Sequence, residues 1–86
     1  MSVKRKYRKR SMEQHHQEWL ENISVYFMEC RRWTGHSRKS FADENILSQN
    51  FLESIENAKH FPTLKSVFLL CDLYDITPAE LFEEIQ

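Results

Sequence analysis

Apolar residues recur at threes and fours along most of this chain. Trp19, Leu20, Ile23, Tyr26, Phe27, Cys30 and Trp33 form one wide stripe, the pattern of a helix with a single face on a core. Ser11-Met12-Glu13-Gln14 has the form of a capping box, so this first helix is expected to start at Ser11. Gly35, the chain's one glycine, follows Trp33-Thr34 and ends it, because a residue without Cβ takes the left-handed conformation at little cost. Ser37 is expected to cap a short second helix that buries Phe41 and Ala42 and runs out near Asn45. Ser48 caps a third, with Leu47 outside and Leu52 inside as a hydrophobic staple. Leu52 and Ile55 point inward there, and a turn of about 100° per residue leaves Asn50, Glu53, Ser54 and Asn57 on the opposite face. Gln49 is exposed at the start.

Phe61-Pro62 forces an extended connection, since proline disfavours helix at the residue before it. Thr63 opens a fourth helix with apolar positions Leu64, Val67, Phe68, Leu70, Cys71 and Tyr74. Thr77-Pro78-Ala79-Glu80 combines an N-cap, proline at N1 and glutamate at N3, and Ile76 with Leu81 forms a second staple. Leu81, Phe82 and Ile85 supply the inner face of the last helix. The expectation is an all-α domain of five helices over residues 11–86, in which two short helices joined by a tight turn match a helix-turn-helix plan.

Composition narrows this further. Eighty-six residues, 41% hydrophobic and 29% charged, make one small domain. No apolar run approaches the roughly 20 residues that span a bilayer, and no apolar segment follows the basic N-terminus as in a secretory signal, so a cytoplasmic protein is expected. Cys30 and Cys71 lie on apolar faces and read as small buried hydrophobes. The net charge of -1 conceals a split: Lys4, Arg5, Lys6, Arg8, Lys9 and Arg10 crowd the first ten residues, and the remaining 76 carry a formal -7. Such a like-charged block repels itself and buries little, so residues 1–10 are expected to be a disordered arm. It is either a solubilising tail or an arm that neutralises phosphates and makes affinity fall with salt.

From Gly35 onward the chain resembles the Cro/lambda-repressor type of helix-turn-helix domain, the Xre family of bacterial and phage regulators. The residues that carry the resemblance are Gly35, Phe41-Ala42, Ser48-Gln49, Ile55-Glu56, Lys59, Pro62-Thr63-Leu64, Tyr74-Asp75-Ile76-Thr77 and Leu81-Phe82, and the match spans about 50 of the 86 residues. Three positions depart from the family pattern. Arg38 stands where glutamine is common. The turn has Asn45-Ile46 in place of an apolar residue and glycine, so either it is shifted by one residue or Asn45 takes the left-handed conformation while Ile46 packs inward. Ala58 replaces the glycine after the glutamate and leaves the end of the third helix open.

The resemblance implies a lambda-repressor-like fold whose third helix, about residues 48–57, enters the major groove of double-stranded DNA as part of a homodimer. Gln49 and Asn50 carry amides suited to bidentate bonds with adenine, Ser54 can reach a base or a phosphate, and Phe51 can pack on a thymine methyl. Arg38, Lys39, Ser48, Asn57, Lys59 and His60 are the expected phosphate contacts, which position the helix without reading sequence. Arg31 and Arg32 are either flanking contacts or partners of their own helix's carbonyls. Residues 30–66 balance at +2, so the binding half is basic only locally, and Glu53 near the groove face could reject most sequences or accept a hydrogen bond from cytosine N4.

Other chemistry has little support. His15-His16, His36, His60 and the cysteines show no metal-ligand spacing, so neither a metal nor another cofactor is expected. No nucleophile comes with a base and an orienting partner, and one glycine cannot build a phosphate loop, so an enzyme is not expected. The expected function is a sequence-specific DNA-binding transcriptional regulator, a repressor by preference because no activation or ligand domain is evident. The rival is a protein-interaction or antitoxin-like module on the same fold, with a toxin or another regulator as partner. Its motive is the -7 of residues 11–86, which repels a duplex, together with the aromatic-rich first helix.

Overall fold

A computed structural model describes residues 9–85, which form five α-helices: α1 Lys9–Thr34, α2 Arg38–Glu44, α3 Gln49–Glu56, α4 Leu64–Leu73 and α5 Pro78–Glu84. No strand occurs among the described residues, and none of their helices is long and apolar enough to cross a membrane. The four shorter helices start where short-range chemistry places them. Ser37 accepts the amide of Ser40, Ser48 that of Phe51, Thr63 that of Ser66 and Thr77 that of Glu80, each at 3.0–3.1 Å. Each such cap stabilises its helix by about 1 kcal/mol. Pro78 sits at the first turn of α5, where its missing N–H costs nothing.

The start of α1 differs from expectation. Ser11 is helical rather than extended, so it cannot be an N-cap, and the helix already includes Lys9 and Arg10. Lysine and arginine are good helix formers and no glycine or proline interrupts the segment. Lys9 and Arg10 of the expected arm are thus helical; Lys4, Arg5, Lys6 and Arg8 lie outside the described residues.

The helix ends show the chain's main backbone peculiarity. Besides Gly35 at φ 80°, Ile46, Ala58 and Asp75 have φ of 55°, 53° and 57°. Each follows a helix cap, and the next amide bonds back across the end: Leu47 N–H to Ala42 O at 2.8 Å, Lys59 to Ser54 at 3.3 Å, Ile76 to Cys71 at 2.9 Å. These are Schellman closures built without glycine. Asn45, with φ -108°, does not take the left-handed conformation, and Ile46 does not pack inward; its side chain is 95% exposed. The Asn45 amide instead donates to Phe41 O.

α1 packs on α3 and α5, α2 on α3, and α4 on α5. Phe27, Leu52, Leu70, Leu81 and Cys71 are fully buried at the centre. Phe41 stacks on Tyr74 with ring centroids 5.0 Å apart, and the tilted Phe27 ring lies 6.0 Å from Tyr74. The buried line of α1 is Leu20, Ser24, Phe27 and Arg31, with Ile23 beside it. This is rotated from the expected stripe, so Trp33 is 90% exposed and Trp19 about half exposed. On α4, Val67, Leu70 and Cys71 are buried while Leu64 and Phe68 flank them in solvent. Both cysteines are free; Cys71 is buried and Cys30 half-buried. Burial raises both thiol pKa values, which favours their protonated forms.

Candidate nucleic-acid interface

The turn Asn45–Ser48 delivers α3 with its amides outward. Ser48 fixes the first turn, the staple residue Leu47 is half-buried, and Leu52, Ile55 and Glu56 face inward. Gln49, Asn50 and Asn57 are exposed, and Glu53 and Ser54 are half-exposed on the same outer surface. Phe51 is intermediate, its ring against the edge of the core. Ser48, Asn50, Phe51, Ser54, Ile55, His60, Pro62 and Ser66 line an open groove of about 290 Å³ between α3, the following loop and α4. Of the residues expected to meet bases, Asn50, Phe51 and Ser54 therefore share one concavity with Ser48 and His60. Gln49 lies beside it on the helix's first turn.

The expected phosphate contacts divide into two kinds. Lys39 is exposed. Lys59 reaches Glu53 at 3.3 Å across the surface, a pair worth about 0–1 kcal/mol that leaves the ammonium available. The exposed His60 donates from Nδ1 to the Phe61 carbonyl at 3.2 Å. Arg38 is held: its Nε donates to Glu56 Oε1 at 3.0 Å and its Nη2 to Asn57 Oδ1 at 3.4 Å. Asn57 is thus engaged with a neighbouring side chain.

None of the family models, curated proteins or solved structures compared with the chain matches it. Its site is therefore argued from geometry and residue chemistry.

Behind α3 lies the feature that the pattern of the chain did not disclose. Glu56 has a side chain only 1% exposed, and Arg31 meets it as a fork, Nε to Oε2 at 2.8 Å and Nη2 to Oε1 at 2.9 Å. Arg31 Nη1 donates to the His36 carbonyl at 2.8 Å, so α1 is bonded to both α3 and the start of the α2 segment. The Glu56 hydrogen bonds raise the Arg31 pKa more than burial lowers it. Arg31 is therefore neither a flanking contact nor bonded through its side chain to its own helix's carbonyls. Beside this pair the Tyr74 hydroxyl is buried and has no partner among the described residues, and burial first, then the Glu56 charge, raises its pKa. The available signal was positional: Arg31 continues the Leu20–Phe27 line of α1 by one turn, and Glu56 follows Leu52 by four residues, so opposite charges occupy inward positions.

Proposed function

We propose that the chain is a sequence-specific DNA-binding regulator of helix-turn-helix type, in which α2 and α3 form the motif and α3 lies in the major groove. The observation that carries this reading is the pair of exposed amides, Gln49 and Asn50, on the outer edge of α3's first turn. An amide can bond bidentately to adenine in the major groove, where every base pair presents a distinct set of donors and acceptors. Ser54 and Phe51, in the same groove, supply a hydroxyl for a base or phosphate and an apolar edge for a thymine methyl. Lys39, Lys59, His60 and Arg38 border α3 and meet the backbones. Ser48 accepts the Phe51 amide as the cap and keeps its O–H as a donor for a phosphate.

One such module reads only a few base pairs, so binding as a homodimer to a two-fold related site is part of the proposal. Repression by occluding a promoter is the proposed mechanism. A second reading, a protein-interaction module, draws on the apolar side chains left in solvent, Trp33, Leu64, Phe68 and Phe82.

Titrating fluorescent random-sequence and upstream-operon duplexes at two salt concentrations tests the choice. The regulator reading expects strong salt dependence together with a sequence preference abolished by Asn50→Ala. Salt-independent or absent duplex binding refutes it and favours the interaction module.

A further inference from the structure

Glu56 serves two guanidinium groups, and they are not equivalent. Arg31 bonds both of its oxygens and gives its remaining Nη1 to the His36 carbonyl. Arg38 adds a single Nε bond from the outside and steadies itself on Asn57. One carboxylate and two guanidinium ions leave a net charge of +1. That charge does not surface at Arg31, whose side chain is 10% exposed, but at Arg38, which is 32% exposed. Among the described residues Arg38 Nη1 has no partner.

We propose that Glu56 is a positioning residue that holds Arg38 as a fixed cation beside α3, with a phosphate of the bound duplex as the ligand of its free edge. This rests on the DNA-binding reading. A mobile surface arginine loses side-chain freedom when it meets an anion; Arg38 has given up much of it already in the free protein. Its planar fork also allows division of labour, Nε inward to the carboxylate and the Nη edge outward to the phosphate. Lysine, with three rotatable donors on one compact ammonium, has no planar fork to hold an inward and an outward edge in fixed relation. Because Arg31 ties the same carboxylate to α1, the cation is fixed relative to three helices at once.

The experiment has one arm without DNA and one with it. In the free protein, proton exchange at the arginine Nε–H groups is followed by NMR. Slow exchange at both Arg31 and Arg38 is expected, and loss of the Arg38 signal in Glu56→Gln. Rapid exchange at Arg38 in the unaltered chain overturns the proposal. With a random-sequence duplex, Arg38→Lys is expected to bind about tenfold more weakly, the scale of one charge-assisted hydrogen bond, at an unchanged salt slope because the number of neutralised phosphates is the same. Wild-type affinity in Arg38→Lys means charge alone suffices and overturns the proposal.

Glu56→Gln adds a test by sign. It raises the cluster from +1 to +2, so a purely electrostatic role makes binding tighter, whereas positioning makes it weaker. The double variant should then bind no worse than the weaker single one. If Glu56→Gln does not fold, Arg38→Lys, altered at a surface group, carries the decision. Failure of the unaltered chain to bind any duplex refutes the regulator reading and removes the phosphate from the proposal, while the exchange measurement separately decides whether Arg38 is clamped.

Discussion

Replacing Ile46 by glycine should stabilise the protein. Ile46 sits at φ 55°, where a side chain's Cβ crowds the following carbonyl, and a β-branched residue is especially ill suited to that region. The left-handed conformation costs a residue with a Cβ roughly 1–2 kcal/mol. Glycine removes that cost but loses about 0.5–1 kcal/mol through the greater freedom of its unfolded chain. Little packing is lost, because the isoleucine is 95% exposed, and the Leu47-to-Ala42 closing bond depends only on the backbone. The net gain is then about 0.5–1 kcal/mol, or roughly 2–8 °C in Tm for a domain of this size. Thermal and urea unfolding followed by far-ultraviolet circular dichroism measure it. Ile46→Ala should fall between the two, since it keeps the Cβ and removes only the branch. Glu29→Gly, at an exposed site inside α1, serves as the contrast and should cost about 1 kcal/mol. An Ile46→Gly variant destabilised like Glu29→Gly would show that residue 46 does not occupy the left-handed region.

Other outcomes follow from the same geometry. Glu56→Ala strands the buried Arg31 and should cost about 3–5 kcal/mol in urea unfolding, whereas the joint change Arg31→Met with Glu56→Leu should cost far less. Tyr74 has a raised pKa in the folded state, so above pH about 10 the unfolded chain releases a proton that the native protein retains. Stability should therefore fall as pH rises from about 10, and comparing urea midpoints at neutral and alkaline pH should show a smaller fall in Tyr74→Phe. The same variant should be neutral or slightly stabilising at pH about 7, because the hydroxyl it removes is buried with no partner among the described residues. On the proposed DNA-binding reading, Lys59→Ala should weaken binding to all duplexes alike and reduce the salt slope by about 1, a result read from titrations at several salt concentrations.

Much of the fold was legible because it is written in short-range chemistry. Ser37, Ser48, Thr63 and Thr77 each bond an amide three residues away, so residue type and spacing suffice to place four helix starts. The exposed amide edge of α3 was legible for a related reason, as Leu52 and Ile55 set the helix's inner line and leave Gln49 and Asn50 outside it. What depends on partners distant in sequence was not. An apolar stripe was expected to include Trp33, but Arg31 claims the inner line of α1 by pairing with Glu56 twenty-five residues away, and the helix is rotated accordingly. Leu64 and Phe68 have helical spacing like Val67, Leu70 and Cys71, and only the placement of the neighbouring helices decides that the latter three are covered and the former two are not. Ile46 shows another limit: Schellman closure by a β-branched residue runs against local preference, and the surrounding helices hold it there. At the other end, Ser11 had the form of a cap, but helix-forming residues on its N-terminal side carried α1 past it.

The shared carboxylate also bears on how α3 can be reused. Transplanting Gln49–Glu56 onto another helical frame would carry along an inward anion while leaving its counter-ions behind on α1 and α2. Such a chimera would need Arg31 and Arg38 to travel with the graft, or a neutral residue at position 56. The segment that presents the amides is not a detachable cassette but one side of a three-helix joint.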